Sequence, residues 1–86
     1  MSGFELGGIF EMLLKAQKYV ESRGGKLLVE ISILPAQSVR IYAVYERIPN
    51  HGSGGFSRGP ASDLEELRKD LEWTLDYLLG AGWREA

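Results

Sequence analysis

Two neighbouring runs, KLLVEISIL at 26–34 and SVRIYAVYERI at 38–48, alternate side chains with period two and are rich in β-branched and aromatic residues. That period sends successive side chains to opposite faces of a sheet, so both runs read as strands. Only Pro35-Ala36-Gln37 lies between them, which makes the pair an antiparallel hairpin. One face gathers Leu27, Val29, Ile31 and Ile33 with Val39, Ile41, Ala43 and Tyr45, and is expected to be the core face. The reverse face mixes Glu30, Ser32, Arg40 and Glu46 with Leu28, Tyr42 and Val44, a pattern suited to partial exposure or to an interface. Two strands alone are marginally stable. The sheet therefore needs a third strand, for which Gly55-Phe56-Ser57-Arg58 is a candidate, or edge pairing with a second copy of the chain.

Helices flank the hairpin. Over about residues 8–23, Ile9, Leu13, Ala16 and Val20 recur at helical spacing, and Gly24-Gly25 supplies the stop. On a wheel of about 100° per residue the apolar arc of this helix spans roughly 220°, from Tyr19 and Met12 across that stripe to Phe10 and Leu14. Such an arc exceeds what one neighbouring layer covers, so Phe10 and Leu14, with Tyr42 and Val44 of the reverse sheet face, form a possible dimer surface. A second helix is expected over about 63–79, with Ser62 and Glu65 at capping-box spacing, carboxylates in its first turn and Gly80 at its end. The intervening PNHGSGGFSRGPA, 49–61, reads as a glycine-rich loop rather than regular structure. A chain of 86 residues supports one small core. The expected fold class is α+β, a single domain over 1–86 with a two-layer α-β-β-(β)-α order and both helices on one face of the sheet.

Several function classes lose their basis in composition. Ten basic against twelve acidic residues leave a net charge of −2, with no global attraction for nucleic acid or anionic membrane. There is no cysteine and one histidine, His51, so neither a disulfide framework nor a thiolate or His-rich metal site is expected. The apolar run near the N-terminus is short and interrupted by Glu11, without the basic start of a signal peptide, and no stretch approaches the roughly 20 residues of a membrane span. A cytoplasmic protein without membrane attachment, metal or cofactor is the expectation.

No catalytic constellation stands out. The glycine loop precedes a helix N-terminus, a place where backbone amides can cradle phosphate, but it lacks the Gly-Lys-Ser/Thr of a Walker A loop and runs into Asp63, Glu65 and Glu66. His51, Ser53, Ser57 and Asp63 supply the residue types of a triad without a preorganised frame. Glu65 with Glu66 and Asp70 with Asp76 are read as a solvated helix face, where nothing raises a pKa for acid catalysis. Helix, strands and helix in this order resemble the double-stranded RNA-binding domain, in which a Gly-containing stretch leads into a helix opened by a lysine cluster. Here GPASDLEEL keeps the Gly and reverses the charge, which repels phosphate; Lys15, Lys18, Arg23 and Lys26 are a basic group interleaved with Glu11 and Glu21.

One feature of the second helix lies outside its core pattern. Leu64, Leu67, Leu71, Leu75 and Leu78 form a stripe about 80° wide, and Trp73 lies opposite its centre with Tyr77 beside it. An aromatic pair one turn apart, set among Glu66, Lys69 and Asp70, fits the anchor of a protein contact. A cover supplied by Trp83 and the tail, or by the 49–61 loop, is the structural alternative. The expected function is therefore a small, non-enzymatic interaction protein, an adaptor, regulator or inhibitor of the kind that phages and accessory loci encode. It would act on a larger protein partner through Trp73, Tyr77, Glu66, Asp70 and Lys69, and as a homodimer. The alternatives are a nucleic-acid-binding module and a small ligand- or phosphate-binding enzyme subunit built on the 50–62 loop.

Overall fold

Strand β1 (Lys26–Leu34) pairs antiparallel with β2 (Ser38–Ile48) in unbroken register from Lys26 opposite Glu46 to Leu34 opposite Ser38. The computed structural model describes residues 3–86, with side chains from Leu6 onward. Between the strands Pro35–Gln37 forms a tight turn in which Ala36 and Gln37 take positive φ. A third strand, β3 (Gly52–Ala61), pairs antiparallel with the other side of β2, giving a three-stranded sheet of order β1-β2-β3.

This strand contains Gly55-Phe56-Ser57-Arg58, the expected candidate for a third strand, and its full extent corrects the expectation of an irregular loop over 49–61. Its glycines are packing devices rather than turn signals. A Cβ on Gly54 would lie 2.9 Å from the hydroxyl of Tyr45, the residue opposite it, so the Tyr45 ring lies over a bare stretch of backbone. At Gly59, φ is +88° and a Cβ would stand 2.5 Å from the Val39 carbonyl. Only glycine lets β3 approach β2 there. Register shifts on both sides of the central pairs, between Val39 and Ile41 and between Tyr45 and Ile48, bend β3 along its partner.

Helix α1 (Gly3–Ser22) packs beside β1, and α2 (Leu64–Leu79) lies over β2 and β3, so the order is α-β-β-β-α and the fold is α+β. The first helix begins at Gly3 rather than near residue 8. Leu6 continues the stripe of Ile9, Leu13, Ala16 and Val20 onto the core, which carries the helix through Gly7 and Gly8. It ends at Ser22, and Gly24 and Gly25 hydrogen-bond back to the Glu21 and Val20 carbonyls. The second helix is capped by Asp63, one residue beyond the expected Ser62. Asp63 Oδ1 accepts from the backbone N–H groups of Glu65 and Glu66 at 3.1 and 3.2 Å. Gly80, at φ 75°, ends it as expected.

All five stripe leucines of α2 are buried, and the core lies between the helices and one face of the sheet. Leu27, Val39, Ile41 and Ala43 fill the expected sheet face, with Val29, Ile31 and Tyr45 partly buried against it. Ile33 departs from the expectation and is 71% exposed, because it stands at the tip of an edge strand with a neighbour on one side only. A short 3₁₀ segment, Ala81–Glu85, then folds back onto α1 and drives Trp83 into the core. It covers the Met12 and Tyr19 flank of the wide apolar arc of α1. The opposite flank, Phe10 and Leu14, stays half exposed. Among the described residues no helix is long and apolar enough to cross a membrane.

Candidate functional site

Trp73 and Tyr77, one helical turn apart, stack with ring centroids 5.7 Å apart and planes within 6°. The pair faces solvent, at 66% and 64% exposure. Burying the leucines fixes the phase of α2, and that phase turns both rings outward; a helix cannot hide residues on opposite sides of its axis against a single sheet. Glu66, Lys69 and Asp70 are exposed along the same face, and among the described residues no salt bridge engages them.

The support behind this face is rigid. Arg58 of β3 donates from Nε to the Thr74 hydroxyl at 2.8 Å, and Thr74 Oγ1 donates to the Asp70 carbonyl at 2.8 Å. Thr74 is almost fully buried, so its hydroxyl is satisfied on both counts and ties the strand to the helix next to Trp73. At the far end of the pair the β2–β3 turn brings His51 against Tyr77, with ring centroids 5.1 Å apart and tilted by 58°. Asn50 and Gly52, both at positive φ, shape that turn, and the His51 N–H donates to the Ile48 carbonyl at 3.0 Å.

The other candidate cover, Trp83 and the tail, does not lie over the rings. Trp83 enters the core and donates from Nε1 to Asp76 Oδ1 at 2.9 Å. Arg84 bonds Asp76 Oδ2 at 2.7 Å and Glu72 Oε2 at 2.6 Å, which fastens the tail to the Glu72 and Asp76 flank of α2. Asp76 is thus an anchor and not, as expected, part of a solvated pair with Asp70. The Arg84 guanidinium, helped by the Trp83 N–H, holds its carboxyl below the ordinary aspartate value.

Tyr77 and His51 also form one wall of a cleft of about 320 Å³, whose other walls include Tyr19, Arg23 and Arg47. Arg47 donates from Nε to the Gly24 carbonyl at 2.9 Å, and Arg23 lies over the Tyr19 ring at 3.8 Å. Both helices end here, so the negative ends of their dipoles oppose the two guanidinium charges. The cleft is mixed in polarity rather than a defined anion site.

The sequence candidates for chemistry do not assemble. His51 and Asp63 stand at opposite ends of β3, about 30 Å apart for a strand of its length. Asp63 spends its carboxylate on the helix cap, occupying the amides where a phosphate would sit. Arg58, the basic residue that precedes those carboxylates in sequence, is committed to Thr74. Among the described residues no group of three or more histidine and carboxylate side chains is placed to hold a metal ion. Of the expected dimer residues, Phe10, Leu14 and Tyr42 are about half exposed and Val44 is partly buried. The alternative that the 49–61 segment covers the aromatics is met at one residue, His51 against Tyr77. Sequence reasoning missed Arg58 as the clamp behind Trp73, since no periodicity joins residues 16 positions apart across a sheet and a helix. Comparison with protein-family models, curated proteins and solved structures finds no match for this chain.

Proposed function

We propose that this protein is a non-enzymatic interaction module of the cytoplasm, an adaptor, regulator or inhibitor that works by laying the outer face of α2 against a larger protein. The observation that carries this reading is the exposed Trp73–Tyr77 stack. Two large rings held in register by helix, clamp and turn have little conformational entropy left to lose, and Trp and Tyr are the residue types that dominate binding energy at interfaces. With Tyr77 set between Trp73 and His51, the outer face of Trp73 is the one open to arginine or lysine from a partner. Glu66 and Asp70 beside the rings favour the same choice, so the partner presents a basic, concave surface.

The test is affinity capture from the native host with the intact protein and with a Trp73→Gln/Tyr77→Ser variant whose fold is verified by circular dichroism. The expected result is a protein retained by the first and lost by the second. Retention of the same proteins by both would refute the assignment of this face.

A further inference from the structure

The flank of the molecule opposite α2 carries a different surface. Strand β1 is an edge of the sheet, nine residues long, without proline, glycine or bulge. Exposed edges of that kind are templates for pairing with another chain, and folded proteins ordinarily blunt them. The other edge is blunted: β3 contains four glycines, Pro60 and two register shifts.

The hydrogen-bonding phase of β1 follows from one contact. Gln17 of α1 donates from Nε2 to the Leu27 carbonyl at 2.8 Å, so Leu27 turns its backbone groups away from β2. In an antiparallel ladder every second residue does the same. Val29, Ile31 and Ile33 therefore present their N–H and C=O groups along the open edge, while the Leu27 carbonyl is already occupied. Above this stretch lies an apolar groove of about 190 Å³ lined by Phe10, Leu13, Leu14, Gln17, Val29 and Ile31. At the far end of the strand Ile33 projects, 71% exposed, and Leu28 on the reverse face is 62% exposed.

We infer that the occupant of this edge is a second copy of the chain, joined about a two-fold axis at Ile31. An antiparallel pairing of β1 with itself centred there sets Ile31 opposite Ile31 and Val29 opposite Ile33, so the three open residues of each strand bond to those of the other and Leu27 is left to Gln17. The same register places each exposed Ile33 beside the partner's Val29, at the groove under Phe10 and Leu14, and brings the two α1 helices side by side over the seam. On the reverse face Leu28 meets Leu34 and Glu30 meets Ser32. Moving the centre to Glu30 would oppose two carboxylates and require the occupied Leu27 carbonyl, so charge and hydrogen bonding select the same register. The product is a continuous six-stranded sheet with an isologous interface. It leaves α2 free on both outer flanks, and it stands independently of the function proposed for Trp73 and Tyr77.

The experiment is size exclusion with light scattering over a micromolar concentration series, on the full chain and three variants, with circular dichroism to verify the fold. The intact protein runs at twice its 9.6 kDa mass at the upper concentrations. Ile33→Asp raises the dissociation constant at least about tenfold, since an aliphatic side chain leaves the groove. Ser32→Lys sets two reciprocal ion pairs with Glu30 across the seam and Ser32→Glu two like-charge pairs, so the first associates about fivefold or more tightly than the second. Within one chain Ser32 lies directly opposite Arg40, a nearer neighbour than Glu30 two positions along the same strand face, so an effect on folding alone favours glutamate over lysine and has the opposite sign. A monomer throughout the series, or equal association of the two Ser32 variants, overturns the proposal.

Discussion

The two tryptophans of this chain should behave as opposites when truncated. Trp83 is 3% exposed and bonded through its indole N–H to Asp76. Trp83→Ala removes a buried aromatic, a change that costs about 3–5 kcal/mol. Asp76 keeps its Arg84 partner at 2.7 Å, so little is added by the lost hydrogen bond. A chain of this length has a total stability of roughly 4–13 kcal/mol, so the variant loses much of it, with a fall of roughly 12–40 °C in Tm. Trp83→Phe keeps most of the packing and forfeits the N–H, for about 1–2 kcal/mol. Trp73→Ala, by contrast, loses an exposed stack while gaining helix propensity, and the two nearly cancel to within about 0.5 kcal/mol. Urea unfolding followed by circular dichroism measures all three, and fluorescence of the single-tryptophan chains adds a check: Trp83 alone emits as a buried indole and Trp73 alone as a hydrated one. Equal destabilisation by the two alanine variants would refute this division between core and surface.

Thr74→Val is expected to cost about 1–2 kcal/mol in the same assay, because it preserves volume but deprives Arg58 of its acceptor; an unchanged midpoint would mean that the clamp contributes nothing. Arg84→Gln tests the tail anchor through pH. Because the folded-state pKa of Asp76 is depressed, chiefly by Arg84, its contribution is present above the unfolded aspartate value near 4 and is lost as pH falls through the folded value. The stability gap between the intact protein and Arg84→Gln should therefore be widest at neutral pH and close on acidification below pH 4, as read by unfolding midpoints across that range; a gap independent of pH would contradict the assignment.

How much of this was legible in the chain depended on which features have a period. The alternation of 26–34 and 38–48 and the leucine stripe of α2 fixed two strands and a helix phase, and the same phase placed Trp73 and Tyr77 on the solvent side. Strand β3 was legible only as the short candidate at 55–58; its full extent was obscured because Gly54 and Gly59 carry ordinary turn signals, whereas their reason lies in Tyr45 and Val39 across the sheet. Trp83 follows the terminating Gly80, outside any repeat, so nothing in its sequence neighbourhood distinguishes a core residue from a tail. Asp63 and Ser62 are both competent caps, and the choice between them is made by where the backbone turns helical. Ile33 belongs to the core face by parity and is exposed by position, a distinction that needs the order of strands.

The claim that the outer face of α2 is the binding surface is tested most directly by calorimetric titration of the captured partner with the intact protein, with Trp73→Gln, and with Leu28→Gln on the reverse sheet face as a control. If the aromatic stack anchors the contact, Trp73→Gln weakens binding by about 2 kcal/mol, roughly 30-fold in Kd, and Leu28→Gln leaves it unchanged. Undiminished affinity of a folded Trp73→Gln protein would contradict the account.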